Sequence, residues 1–197
     1  MDITILINKD NPIDKNYIPN DLYILDNNEN NFHNYKDSNL KPMLSFKLKP
    51  YLDEMLLDAQ KDGFKIIVDS GYRSYQYQQI VFDALVKEKG DEALKLSALP
   101  GTSEHQTGLA FDFAYLKNGL YCDDVNEETP EAKWMQNNSY KYGFILRYPK
   151  GKEKITGYKY EPWHYRFVGI ELAKILYEEN ETLEEYYQTL TKTRKRL

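Results

Sequence analysis

The chain has 197 residues, a formal net charge of −5 and a single cysteine, Cys122. This length suits one packed domain over residues 1–197, and the 41% hydrophobic and 29% charged residues exclude a largely disordered chain. The negative charge argues against a nucleic-acid partner, the lone cysteine excludes an internal disulfide and zinc sites built from cysteine pairs, and no apolar run is long enough to span a membrane.

Residues 1–43 are rich in Asn, Asp, Pro and Tyr, which predicts an irregular N-terminal arm packed on the domain rather than a unit that folds alone. His33 lies among asparagines in this arm and is interpreted as a surface residue. The short apolar run from Ile3 to Ile7 follows an acidic residue and lacks the basic start of a secretory signal. We therefore expect a cytoplasmic protein.

A first helix is predicted within residues 49–62 and ends at Gly63. Its apolar residues follow the i, i+3, i+4, i+7 spacing of a helix laid on a core: Leu52, Met55, Leu56 and Ala59. The β-branched run over residues 64–68 then predicts a buried strand. This strand delivers Arg73 to its carboxyl end.

Ser74 is a suitable N-cap for a second helix that ends at Gly90. The apolar stripe of this helix consists of Tyr77, Ile80, Val81, Ala84 and Leu85. A short helix over residues 91–97 and a turn at 99–102 follow, because Pro100 and Gly101 favour a turn.

A strand over residues 109–115 is predicted by alternating side chains. Asp112 falls on the less apolar face with Ala110 and Ala114, whereas the opposite face carries Leu109, Phe111, Phe113 and Tyr115. The polar residues 116–128 predict a surface loop.

The pattern in the last third of the chain predicts a helix and a strand, then a connection, and finally two closing helices. A helix begins at Thr129 and runs to Gly143, a strand covers residues 144–148, and a hairpin connection covers 149–157. A closing helix covers residues 168–177, and a capping box of Thr182 and Glu185 opens the final one. Short strands between helices predict an α+β domain with a small, mainly antiparallel sheet flanked by helices.

Three residues could bind one metal ion: His105, Asp112 and His164. Zinc accepts imidazole nitrogen and carboxylate oxygen, and a catalytic zinc has three protein ligands and one open position. The spacing alone leaves open whether these residues bind a metal, since the helical His-Glu-x-x-His signature is absent. A zinc ion that only stabilises the fold is a further alternative.

Glu161 allows two interpretations, because it lies three positions before His164. It could be a fourth ligand that closes the site, or a base that takes a proton from water activated by the metal. Since three ligands are already present, we favour the base.

Three segments resemble the motifs of the VanY-type D-alanyl-D-alanine carboxypeptidases, zinc peptidases of bacterial cell-wall precursors: SGYRS at 70–74, SEHQTGLAFD at 103–112 and YEPWHYR at 160–166. Four further segments resemble in particular the VanXY-type D,D-peptidases, cytoplasmic enzymes linked to glycopeptide resistance: INKDNP at 7–12, YGFILRYP at 142–149, ITGYKYEPWHYRFVG at 155–169 and TLEEY at 182–186. The resemblance covers most of the chain and implies a zinc-peptidase fold of the LAS and hedgehog type.

The resemblance also implies roles for individual residues. It implies zinc as the cofactor with His105, Asp112 and His164 as ligands, Glu161 as catalytic base and Arg73 as a substrate contact. A guanidinium suits either a terminal carboxylate or the oxyanion formed after attack. The positions that help to hold the C-terminal D-alanine are matched by Gln78, Ser103 and Tyr148, and Trp163 is expected to wall the pocket.

The function implied is a zinc D,D-peptidase that removes the terminal D-Ala from peptidoglycan precursor peptides, cleaves the dipeptide D-Ala-D-Ala, or does both. An L,D-carboxypeptidase acting on tetrapeptides shares the same motifs, and a non-catalytic zinc-containing peptide-binding module is the alternative from another class. A phage-type endopeptidase is less well supported, because no wall-binding segment follows residue 197. The expected partner is a small peptide ending in D-Ala, and the oligomeric state is left open.

Overall fold

The computed structural model describes residues 1–25 and 41–194. The interpretation of His33 as a surface residue, and the part of the predicted arm at 26–40, lie outside these residues. Within the arm, Ile7 and Leu25 are each 2% exposed and pack into the protein.

The main sheet has five strands in the described residues, and every pair of neighbours is antiparallel. Its order is β3, β4, β7, β6, with β5 paired to the far end of β4. The strands are β3 (Ile66–Ser70), β4 (Ala110–Lys117), β5 (Leu120–Cys122), β6 (Phe144–Leu146) and β7 (His164–Phe167). A separate two-stranded sheet pairs β1 (Leu22–Ile24) with β2 (Met43–Ser45).

The helices of the described residues are α1 (Lys49–Lys61), α2 (Tyr75–Lys89), α3 (Ala93–Leu96), α4 (Pro130–Asn138), α5 (Glu153–Thr156), α6 (Ile170–Glu178) and α7 (Leu183–Arg194). With the antiparallel sheet, they confirm the predicted α+β class. None of the helices described here is long and apolar enough to cross a bilayer.

Several local predictions are confirmed. The four apolar residues predicted to lie on the core side of α1 are all buried. The capping box before α7 is formed, because Thr182 N–H donates to Glu185 Oε2 over 2.8 Å and Glu185 N–H donates to Thr182 Oγ1 over 3.2 Å. In β4, the predicted apolar face lies in the main core, where Phe111 meets Phe144 edge to face at 5.5 Å.

Three local predictions are wrong. The expected loop at 116–128 contains β5, which forms a hairpin with β4 around Asn118 and Gly119, both at positive φ. The expected hairpin connection at 149–157 contains the short helix α5. The helix predicted over 129–143 is shorter: α4 starts at Pro130, after the N-cap Thr129, and ends at Asn138, and a 3-10 turn, Ser139–Tyr142, carries the chain to Gly143.

The apolar stripe of α2 does not face the core. Ile80 is 64% exposed and Tyr77 is 44% exposed, whereas the buried residues of α2 are Gln78 and Phe82. The reason is that α2 borders a cleft at the end of the main sheet instead of covering the sheet, so part of the stripe (Val81, Ala84 and Leu85) lines the cleft.

Candidate active site

The three predicted metal-binding residues converge on one point. His105 comes from a 3-10 turn, Glu104–Thr107, while Asp112 lies on β4 and His164 begins β7. Each offers one ligand atom, and these three atoms lie within 4.8 Å of one another. Both histidines are buried and Asp112 is half-buried, so the cluster sits at the floor of the cleft.

The strand register brings Asp112 and His164 together. The two residues are direct cross-strand partners in the antiparallel pair of β4 and β7. Directly opposed side chains on one face of such a pair are only about 5 Å apart at Cβ. Here His164 Nδ1 lies 2.9 Å from Asp112 Oδ1, which turns Nδ1 toward the cluster and Nε2 away from it.

His105 is oriented by the backbone of the segment after β3. Its Nδ1–H donates to the carbonyl oxygen of Gly71 over 2.7 Å, which leaves Nε2 as the free lone pair. Nε2 has no hydrogen-bond partner and lies 3.3 Å from Asp112 Oδ2. Position 71 requires glycine, because a Cβ there would lie 2.3 Å from the carbonyl oxygen of Met43.

The electrostatics of the cluster fit a divalent cation. Burial and the neighbouring Arg73 lower the pKa of His105 to about 4, so its ring is neutral at pH 7, as a metal ligand must be. Burial opposes a charge on His164, but the carboxylates of Asp112, Glu104 and Glu161 together outweigh burial and raise the pKa of His164 to about 9. The proton on His164 therefore balances the negative charge of the Asp112 carboxylate, and a bound cation would replace that proton. Two imidazoles and a carboxylate are a donor set suited to zinc.

Glu161 lies beside the cluster without being part of it. Its Oε2 is 4.0 Å from His164 Nδ1, and its side chain is 12% exposed. Burial raises the pKa of Glu161 to about 7. A carboxyl group with this pKa exchanges protons readily at neutral pH, as a general base requires.

Arg73 faces the same cleft from the segment that follows β3. Its NH2 atom lies 3.6 Å from Asp112 Oδ2, and its side chain is 18% exposed. The buried Nε has no hydrogen-bond partner in the described residues. Part of the guanidinium fork is therefore available to a ligand in the cleft.

The remaining predicted substrate contacts line a cavity of about 490 Å³ that opens above the cluster: Gln78, Ser103, Tyr148 and Trp163. Tyr148 stacks on the His164 ring at 4.9 Å. Gln78 Nε2 donates to Ser97 Oγ and to the carbonyl oxygen of Ala98, which leaves its buried Oε1 as a free acceptor.

A buried group of charged residues behind the cluster was missed by the sequence analysis. Glu104 is fully buried between Arg147 and Arg166, and Glu104 Oε1 accepts hydrogen bonds from Arg147 Nε at 2.8 Å and Arg166 NH1 at 2.9 Å. The available signal was the presence of two arginines in or beside apolar strands, within YGFILRYP and WHYRFVG. Buried charges of this kind are paired when they occur.

The sequence matches a known protein family. The family model of VanY, described as D-alanyl-D-alanine carboxypeptidase, matches residues 41–170. The putative carboxypeptidase YodJ of Bacillus subtilis is 42% identical over 191 residues, which is 96% of this chain and 68% of that protein. A D-alanyl-D-alanine carboxypeptidase of Enterococcus faecalis is 39% identical over 94% of this chain and 65% of its own length. The chain thus spans about two thirds of the length of these relatives.

A third relative is matched over nearly its whole length. The bifunctional D-Ala-D-Ala dipeptidase and carboxypeptidase VanXYC of Enterococcus gallinarum is 35% identical over 95% of both chains. These matches confirm the resemblance inferred from the motifs.

Solved structures agree with this fold. The LdcB LD-carboxypeptidase has a TM-score of 0.82 and 43% identity, with 93% of this chain and 84% of that chain covered. VanYB in complex with D-alanine-D-alanine has a TM-score of 0.76 and 39% identity, with 95% and 98% covered. A related VanY variant was solved in complex with Zn(II), with a TM-score of 0.76 and 38% identity over 94% of this chain and 98% of that chain.

Proposed function

The chain belongs to the VanY family of D-alanyl-D-alanine carboxypeptidases, and from this premise we propose that it is a zinc-dependent peptidase. It removes the C-terminal D-alanine from peptidoglycan precursor peptides, hydrolyses the dipeptide D-Ala-D-Ala, or does both. The observation that carries the proposal is the convergence of His105, Asp112 and His164 in one cleft with Glu161 and Arg73.

His105 Nε2, His164 Nδ1 and an oxygen of Asp112 would hold the ion, because these atoms face one another and His105 Nε2 has no hydrogen-bond partner in the described residues. Zinc, when bound, acts as a Lewis acid that activates water toward an amide carbonyl. The related VanY structure solved with Zn(II) supports this choice of metal.

Glu161 is the general base and then the general acid. Its carboxylate takes a proton from the attacking water as the new C–O bond forms, and it returns this proton to the amine nitrogen as the C–N bond breaks. The pKa of Glu161, raised by burial to about 7, suits both transfers at neutral pH. Its place in the cleft, outside the three-residue cluster, supports this role over that of a fourth ligand.

Arg73 binds the substrate through its guanidinium fork, either at the terminal carboxylate or at the oxyanion that develops after attack. Ser103, Tyr148 and Gln78 form the surroundings of the terminal D-alanine, and Trp163 forms a wall of the cleft. Because Gln78 Nε2 is occupied by protein acceptors, Gln78 contributes a hydrogen-bond acceptor rather than a donor.

The experiment that tests this function is a substrate panel with the zinc-loaded protein. D-Ala-D-Ala, a tetrapeptide stem and a pentapeptide stem are incubated separately, and released D-alanine is measured. Release from the dipeptide or from the pentapeptide is expected. No release from any of the three peptides contradicts the proposed function.

An L,D-carboxypeptidase acting on tetrapeptides is the second candidate. The similarity to the LdcB LD-carboxypeptidase, with 43% identity, favours it, and so does the 37% identity to an L,D-carboxypeptidase DacB. The same panel separates the two activities, since an L,D-enzyme releases D-alanine from the tetrapeptide and leaves D-Ala-D-Ala intact.

The cytoplasmic location implied by the resemblance to VanXY-type enzymes stays a prediction. Cell fractionation of the producing organism, with an antibody against this chain, tests it. Recovery in the membrane or wall fraction contradicts it.

A further inference from the structure

Two buried polar atoms face each other behind the metal-binding cluster. Glu104 Oε2 and His164 Nε2 lie 3.8 Å apart, and their side chains are 0% and 5% exposed. Neither atom has a hydrogen-bond partner in the described part of the chain. A buried polar atom without a partner is costly, so two such atoms at this distance call for an explanation.

The orientation of the carboxylate is fixed by its other oxygen. Glu104 Oε1 accepts hydrogen bonds from both Arg147 and Arg166, which leaves Oε2 directed at His164. Each arginine is anchored elsewhere: Arg147 makes a two-point contact with Glu184 of α7, and Arg166 NH2 donates to the carbonyl oxygens of Ile3 and Ile5. The position of Oε2 is therefore held by α7 and by the N-terminal segment.

We propose that Glu104 is a positioning residue for the metal ligand His164. Its Oε2 accepts a hydrogen bond from His164 Nε2–H, which keeps the proton on Nε2 and leaves the Nδ1 lone pair directed at the metal. Ligand histidines in metalloproteins commonly donate their second ring N–H to a carboxylate, and this partner fixes the tautomer. The inference rests on His164 binding the ion through Nδ1, as proposed above.

The 3.8 Å distance between Glu104 Oε2 and His164 Nε2 fits this role. His164 Nδ1–H donates to Asp112 Oδ1 over 2.9 Å, which draws the ring toward Asp112. A metal ion bound at Nδ1 would take the place of this proton, and the ring would then be free to turn toward Glu104. A shift of about 1 Å brings Nε2 and Oε2 to hydrogen-bonding distance.

Glu104→Gln is the informative substitution. The two guanidinium groups on Oε1 need an acceptor, so the amide oxygen faces the arginines and the amide NH2 takes the place of Oε2. An NH2 group donates to His164 Nε2 and so favours the proton on Nδ1, the tautomer that cannot bind the ion through Nδ1. We expect zinc affinity, measured by competition with a chromophoric chelator, to fall about 10- to 100-fold.

The matched control is Glu184→Gln. It removes the same charge from a carboxylate that also pairs with Arg147, yet in the described residues Glu184 makes no hydrogen bond or ion pair with His164. Both variants are expected to lose thermal stability, but Glu184→Gln should keep its zinc affinity within about twofold. Equal losses of zinc affinity in both variants would mean that the buried charges only support the fold, which overturns the proposal.

A second measurement needs no variant. In zinc-loaded wild-type protein with ¹⁵N-labelled histidine, NMR should show His164 with its proton on Nε2, shifted downfield and protected from exchange. A rapidly exchanging Nε2 proton, a proton on Nδ1, or a wild type that does not bind zinc each overturns the proposal. No substrate is used, so a protein that binds zinc in this way but releases no D-alanine contradicts the proposed function alone.

Discussion

Asp112 and His164 lie directly opposite each other on adjacent antiparallel strands, 52 positions apart in sequence, and their side chains meet at 2.9 Å. The register of β4 and β7 thus sets the distance between two of the three proposed zinc ligands. The third, His105, is held by the carbonyl oxygen of Gly71, at the end of the neighbouring strand.

Removal of the metal should lower stability through this cluster. A ligand that binds only the folded state at 100 times its Kd adds about 2.7 kcal/mol to the free energy of unfolding, or roughly 5–10 °C in Tm for a chain of this size. We expect a chelator to lower Tm by this amount and zinc to restore it. Asp112→Asn should abolish the zinc-dependent shift, whereas Asp83→Asn, at an exposed position on α2, should keep it. A full shift in Asp112→Asn would contradict the assignment of the cluster.

Glu161→Gln should separate metal binding from catalysis. The variant keeps the shape of the side chain but cannot accept the proton of water, so kcat should fall by about 10²- to 10⁴-fold. Zinc content after dialysis, measured by atomic absorption, should equal that of the wild type. Loss of the zinc would instead make Glu161 a ligand.

Arg73→Lys should distinguish the two roles left open for the guanidinium. Lysine keeps the charge but loses the planar fork, so we expect kcat/KM to fall by about 10²-fold. A rise in KM with an unchanged kcat indicates contact with the terminal carboxylate, whereas a fall in kcat indicates the oxyanion. Unchanged steady-state kinetics would remove Arg73 from the site.

The capping box before α7 predicts a pH-dependent contribution to stability. Burial alone would raise the pKa of Glu185, but the hydrogen bond from the Thr182 backbone and the contact with Lys152 outweigh it and lower this pKa. A carboxyl group whose pKa is lowered in the folded state stabilises that state at pH values above its ordinary pKa of 4.5. This stabilisation is lost as the pH falls from 4.5 through the lower pKa of the folded state. Glu185→Ala should therefore cost about 1 kcal/mol at pH 7 and less at pH 3 in urea unfolding. An equal cost at both values would assign the effect to the helix propensity of the residue.

Local structure followed well from sequence wherever one side of an element faces the core. The spacing of Leu52, Met55, Leu56 and Ala59 predicted the buried face of α1, and the alternation along β4 placed Asp112 opposite Phe111 and Phe113. The same reasoning was wrong for α2, because an apolar stripe that lines a cleft has the same spacing as one that faces a core. Periodicity records which residues share a face, but it does not record what covers that face.

The sequence by itself determined the family motifs and the α+β class, since these depend on residue identities at short spacings, and the motifs in turn predicted the metal ligands. Only the tertiary structure decided that His105 faces Asp112 through Nε2 whereas His164 faces it through Nδ1. It also decided that Glu104 is buried behind His164 between two arginines. These relations depend on strand register and on contacts between residues more than 40 positions apart, such as Glu104 with Arg147 and Arg166. No local pattern encodes them, because a side chain's partner across a sheet is fixed by the packing of the whole chain.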